Sequence, residues 1–297
     1  MSPGLVVNAD DLAIHPRTNA GIFSAWRSGI VTSATMLVTT PYFEQTVHEL
    51  GRGDGPPIGI HLSLTLGKAV AGHREVPNLT DEEGDFTQSS AGLLLTRLTG
   101  ENGRRLLPQI RRELEAQLGL ARDHGLRPTH ADSHQHVHMH PAIFSLLEEI
   151  LPRFGIGRVR HSLETLSLAA VIGLLGQGKP INLAKVALLR LLSRRVRPRL
   201  ATTDGFFGVL YSGVVTKHAI AAAIESLARD RSLEICVHPG LPDAENRPAY
   251  PRGYENDFIG SVARRREHDI LVDPDLRELV RRRGLTLVSF DGRAKAR

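Results

Sequence analysis

A single cysteine, Cys236, in a chain of 297 residues excludes a disulfide framework and a cysteine-based zinc site. It stands in the apolar run Leu-Glu-Ile-Cys-Val at 233–237 and reads as a buried strand residue. Aromatic residues make up only 5%, so the stacking platforms of a single-strand nucleic-acid binder are missing. The net charge of +5 comes largely from arginine runs at 104–105, 111–112, 190–199, 264–266 and 281–283. Most of these read as solvated helix faces, and no nucleic-acid partner is expected. Long apolar runs are absent too. The most continuous, 166–175, is far short of the roughly 20 residues that span a bilayer. The chain opens without a charged segment followed by an apolar one, which suggests a cytoplasmic protein. No Ser/Gly/Pro-rich linker divides it, so one domain over 1–297 is expected.

Short apolar segments that end in polar groups alternate with amphipathic ones. Residues 4–11, 31–38, 58–64, 128–132, 157–161, 200–204, 233–239 and 285–290 read as strands. Residues 19–28, 104–124, 141–154, 219–229 and 274–283 read as helices, with proline or glycine at several ends. This order implies parallel βαβ units. Seven or eight of them imply an α/β fold of the closed, TIM-like (β/α) barrel kind, with 163–200 as a helical apolar insertion. Residues 67–100 hold Gly, Pro, Asn and acidic clusters and read as a long functional loop.

Fourteen histidines are present, yet His130, His134, His136, His138 and His140 fall within eleven positions, all even-numbered and joined by Asp132. On an extended backbone these side chains would share one face. Such a segment spans roughly 33 Å, so only one or two can ligate the same ion. Other strand ends must supply the rest. Asp10 and Asp11, His61, Arg160 and His161, Asp204 and His238 all stand at the same end of their strands, the rim where barrel enzymes collect catalytic groups. Asp11, His61 and His134 would provide a carboxylate and two imidazoles for one divalent ion. That donor set suits zinc, with magnesium the alternative. Asp10 is expected to take the proton of a water and His238 to protonate the leaving group. His138, Arg160, Asp204 and Phe206 are expected to contact substrate.

The segments Asn-Ala-Asp-Asp at 8–11, Gly-Ile-Val-Thr-Ser at 29–33, Gly-Ile-His-Leu at 59–62, Thr-His-Ala-Asp-Ser-His-Gln-His-Val-His at 129–138 and Val-His-Pro-Gly at 237–240 resemble the YdjC-like carbohydrate deacetylases, relatives of chitooligosaccharide deacetylase. The resemblance implies a barrel with a divalent metal that cleaves the acetamide of an N-acetylated sugar. It assigns Asp11, His61 and His134 as ligands, Asp10 as base and His238 as acid. Gln135 departs from the family's frequent His-His-His run and, by alternation, should point away from the metal. The whole chain also resembles the hopanoid-biosynthesis branch, which implies an N-acetylglucosaminyl lipid as substrate. Residues 163–200 would then bind lipid or lie at the inner membrane surface, the alternative being an ordinary packed insertion. Other classes remain: a soluble chitooligosaccharide substrate, a metal-dependent barrel phosphodiesterase, or a basic binding protein with a structural ion.

Overall fold

The computed structural model describes residues 3–53, 55–164, 180–241 and 260–295. Its organising element is β1 (Gly4–Leu12), whose nine residues are all buried. The run Leu5, Val6, Val7 is what a parallel strand covered on both faces requires. β2 (Ser33–Met36) and β6 (Ser232–Val237) pair with its two edges. β3 (Ile58–Leu62) pairs with β2, β4 (Ala131–Ser133) with β3, and β5 (Gly205–Phe207) with β6. The order is β4-β3-β2-β1-β6-β5, and every pairing is parallel.

The structure corrects the expected closed barrel of seven or eight strands. A six-stranded sheet forms, curled into a half-barrel. Residues 157–161 make only single bridges, Ala131 with Val159 and Arg158 with Ala201, and β5 begins after 200–204 rather than within it. A third single bridge joins Glu164 to Phe206, so the segment crosses the gap between β4 and β5 without a ladder. The expected last strand fails for another reason. Leu5 N donates to Thr286 O (2.9 Å) and Val288 N to Leu5 O (3.0 Å), while two residues on Thr32 N donates to Val7 O. The 286–288 segment therefore uses the part of the β1 edge that precedes β2, and adds no strand to the six-stranded sheet.

Helices α1 (Pro16–Ser28), α2 (Phe43–Leu50), α3 (Ser90–Leu95), α4 (Gly100–Asp123), α5 (Pro141–Ile150), α6 (Pro180–Ser193), α7 (Lys217–Ser226), α8 (Val262–Leu271) and α9 (Pro274–Arg282) follow in chain order. α4 buries Leu106, Ile110, Leu114, Leu118 and Ala121 at helical spacing and ends at Gly125, whose φ of +76° a side chain would resist. The same helix anchors the loop that follows β3. Glu113 accepts from Val70 N and Ala71 N, and Gln117 accepts from Ser63 N and donates to Ser63 O. That loop also holds α3, which the sequence reading left irregular. Of the expected insertion, 165–179 lies outside the described residues; α6 covers most of the rest. No described helix is long and apolar enough to cross a membrane.

Candidate active site

The sheet carries its functional side chains at the C-terminal ends of β1, β3, β4 and β6. Adjacent strand residues normally point to opposite faces, yet Asp10 and Asp11 both reach one cavity. A register shift between Ala9 and Leu12, with Asp11 at φ +66° and Ala13 at +73°, turns the second carboxylate inward. Non-glycine residues in this region are strained, and such strain collects at functional sites. Asn19 of α1 secures the bend, its Oδ1 accepting from Ala13 N at 2.8 Å.

Asp11, His61 and His134 converge, their ligand atoms all within 4.8 Å of one another. Asp11 Oδ1 lies 3.5 Å from His61 Nε2 and 3.1 Å from His134 Nδ1. Donors held about 2.0 to 2.2 Å from one ion have separations of this size, so the set fits a divalent cation with an open face toward the cavity. A second layer orients these side chains. His61 Nδ1 meets Asp132 Oδ1 at 2.6 Å, across the register of β3 and β4, which turns Nε2 to the ligand cluster. Burial alone would lower the His61 imidazole, but the carboxylates of Asp132, Asp10 and Asp11 push it up to about 9. The cluster thus attracts positive charge, and a bound cation would replace that proton. Burial raises the Asp11 carboxyl, but Arg264 and His134 outweigh it and hold Asp11 well below the usual carboxylate range. Arg264 Nη2 sits 2.5 Å from Asp11 Oδ2.

Asp10 is held differently. It accepts from Arg160 through both oxygens at 2.6 Å, from Asn8 Nδ2 at 2.8 Å, from Thr35 Oγ1 at 3.2 Å and from Cys236 Sγ at 3.2 Å. Burial opposes its ionisation, yet Arg160 leaves the carboxyl well below its ordinary value. His238 lines the same cavity. Burial lowers its imidazole to about 4, although Asp11 and Asp10 pull the other way, so it is neutral at pH 7. Its backbone N donates to Glu267 Oε2 at 2.6 Å, and burial pushes the Glu267 carboxyl up to about 7. Gly240 then packs on α1 so closely that a Cβ on Gly21 would stand 2.5 Å from its Cα.

The histidine stretch does not stay extended. Past Ser133 it enters a 3₁₀ turn over His134–Met139, with Gln135 and His136 both left-handed at φ +56° and +60°. The shared-face reading is corrected accordingly, and the five histidines separate. His134 joins the ligand cluster, and His136 lines the cavity beside it. His130 stacks on Phe290 at 3.6 Å in the interior. His138 is buried between Ser133 Oγ (2.7 Å) and Arg160 O (3.2 Å). His140 caps α5, accepting from Ala142 N. Gln135, expected to point away, lines the cavity because the turn breaks the alternation.

Unlike Asp11, His61 and His134, none of the four expected substrate contacts lines the cavity. Arg160, fully buried, pairs with Asp10, Asp132 and Glu234, all at 2.6 Å, and its guanidinium lies over the Phe206 ring at 5.6 Å. With His138 these form the floor beneath the site. Asp204 is at the opposite, N-terminal end of the sheet, where it accepts from Ser232 N and Oγ at 2.8 Å. Sequence reading also passed over Thr35, Arg264 and Glu267. The last two had a signal: Arg264, Glu267, His268 and Leu271 are the buried residues of α8 at i, i+3, i+4, i+7, polar groups at core spacing within an apparent solvent-facing run.

The cavity measures about 650 Å³. Its other walls are mixed: Leu66, Leu94 of α3, Ile181, Leu188 and Leu189 of α6, and Val209 are apolar, while Asn182 and Lys185 of α6 and Ser212 are polar.

The model of the YdjC-like protein family matches residues 4–282. The chain is similar to a carbohydrate deacetylase of Brevibacillus brevis, 31% identical over 96% of this chain and 98% of that one. It is 33% identical to a carbohydrate deacetylase of Homo sapiens, over 97% and 90% of the two chains. It is 30% identical to a chitooligosaccharide deacetylase of Serratia marcescens, over 96% and 97%. A crystal structure from Enterococcus faecalis, described as a candidate cellobiose-phosphate cleavage protein, shares the fold with a TM-score of 0.71, 24% identity and 98% coverage of both chains.

Proposed function

The chain belongs to the YdjC-like family, and on that premise we propose that it is a metal-dependent hydrolase removing the acetyl group from an N-acetylated sugar. The observation that carries this reading is the convergence of Asp11, His61 and His134 at one end of a sugar-sized cavity. A divalent ion held by these three, zinc by donor type or magnesium by availability, would polarise the acetyl carbonyl and acidify a water. Asp132 fixes the His61 ring, and Arg264 neutralises the second Asp11 oxygen.

Proton movement falls to Asp10 and His238. For Asp10 to take the proton of the water, as the motif resemblance implies, one of its present donors must release an oxygen. His238 needs no such release. Neutral and facing the cavity, it can receive a proton and pass it to the departing amine. The two assignments differ in a measurable way. If Asp10 is the base, Asp10→Asn lowers kcat by roughly 10² to 10⁴ while His238→Ala keeps the acidic limb of the pH profile. If His238 serves both steps, His238→Ala removes that limb.

We assign the acceptor to N-acetylglucosaminyl lipids of the hopanoid kind, with soluble chitooligosaccharides as the second reading. Support comes from the apolar residues that α3 and α6 give the cavity and from Ile181 in its lining, which is 61% exposed. Acetate release from a matched pair, N-acetylglucosaminyl hopanoid and N-acetylglucosamine oligomer, tests both levels. No acetate from either rejects deacetylation, and acetate from the oligomer alone rejects the lipid.

A further inference from the structure

His136 is placed by three features that the metal cluster does not require. Its backbone is left-handed at φ +60°, directly after Gln135 at +56°, a conformation that non-glycine residues rarely adopt and that collects at functional sites. Its ring is held from two sides: Nδ1 meets Ser162 Oγ at 2.9 Å, and the ring stands edge-on to Phe206 with centroids 5.9 Å apart. It lines the cavity in company with Asp10, Asp11, His61, His134 and His238. Nε2 has no hydrogen bond among the described residues, and it is not among the buried polar atoms that lack a partner. It therefore remains accessible from the cavity. A histidine needed only to fill the floor would be buried like His138, and one needed only to cap would sit like His140.

We propose that His136 is a substrate-binding residue, its Nε2 making a hydrogen bond to a hydroxyl of the sugar ring that carries the acetamide. This deepens the deacetylase reading and rests on it. Ser162 acts through His136 as a positioning residue, since the hydroxyl at Nδ1 sets which ring nitrogen carries the proton. A hydroxyl contact of this kind is made equally in the ground state and the transition state, so it sets affinity and KM more than kcat.

The test uses His136→Asn and His136→Gln in the full chain loaded with zinc. Asparagine tolerates the left-handed backbone and keeps a polar atom near Ser162, but does not reach the Nε2 position. Glutamine reaches it. Calorimetric binding of a soluble N-acetylglucosamine oligomer is the first readout, because it reports the contact whether or not acetate is released. Failure of the parent to release acetate would instead count against the deacetylase reading. The expected result is full zinc content, an unchanged melting temperature and roughly tenfold weaker binding for asparagine, with most of the affinity regained by glutamine. KM should rise in parallel, with kcat little changed. Parent-like affinity in a folded asparagine variant overturns the proposal, as does loss of zinc, which would make His136 a support for His134. If the asparagine variant does not fold, Ser162→Ala leaves His136 in place. Several-fold weaker binding then supports the contact, and unchanged affinity refutes it.

Discussion

At the residue scale, the two adjacent aspartates divide the site between them. Asp11 faces His61 and His134, while Asp10 is enclosed by Arg160, Asn8, Thr35 and Cys236. Asp11→Asn should therefore lower metal content, and Asp10→Asn should keep it while losing turnover. Metal analysis showing the reverse would exchange the roles. Arg160 makes a separate forecast. Removing it deprives Asp10, Asp132 and Glu234 of the guanidinium they share in the interior, so Arg160→Met should destabilise by about 3 to 5 kcal/mol in a denaturant titration. A pH effect follows from Glu164, which accepts from Gly208 N and Leu210 N and whose carboxyl burial raises from 4.5 to about 7. A raised folded-state value means that its contribution is fully present below pH 4.5 and is lost as pH rises through about 7. Glu164→Gln should flatten stability against pH across that window; an unchanged slope would refute the assignment. The motif aspartates and histidines were legible in the sequence because their types are rare in apolar strands. Arg264 and Glu267 were not, because they stand in a charged run whose buried face only helical phase reveals.

At the element scale, a bend and a turn matter more than any regular segment. The bulge in β1 and the 3₁₀ turn after β4 each place left-handed residues where alternation predicts none, and each redirects a side chain into the cavity. α6 supplies apolar residues to the cavity wall. Ile181→Ser with Leu188→Ser should raise KM for an N-acetylglucosaminyl lipid and leave a soluble oligomer near its parent value, since lost apolar contact weakens ground and transition states alike. Equal effects on both substrates would separate α6 from lipid recognition. The C-terminal segment is tied to the end of α1 by Lys295, whose ammonium donates to Trp26 O, Gly29 O and Val31 O at 2.5, 2.8 and 2.7 Å.

At the scale of the whole molecule, several arginines of the basic runs lie away from the site, whereas Arg264 enters it against Asp11. The exposed arginines Arg112, Arg153 and Arg281 pair with nearby glutamates, consistent with solvated faces, whereas the cavity concentrates carboxylates and imidazoles. Adding zinc to chelator-treated protein should raise the melting temperature by mass action, and His61→Ala should abolish that rise. A rise that survives the substitution would move the ion elsewhere. Local hydrophobic period and residue type are enough to give the parallel α/β character, the strand ends that carry polar groups, and Asp11, His61 and His134 as the candidate ligands. The packed fold alone stops the sheet at six strands, divides one stretch of five histidines among candidate ligand, cavity wall, interior and cap, and puts Asp204 at the far rim. Those outcomes depend on which strand edge is already occupied and on where the backbone leaves its regular dihedrals, and neither is written in the period of a single segment.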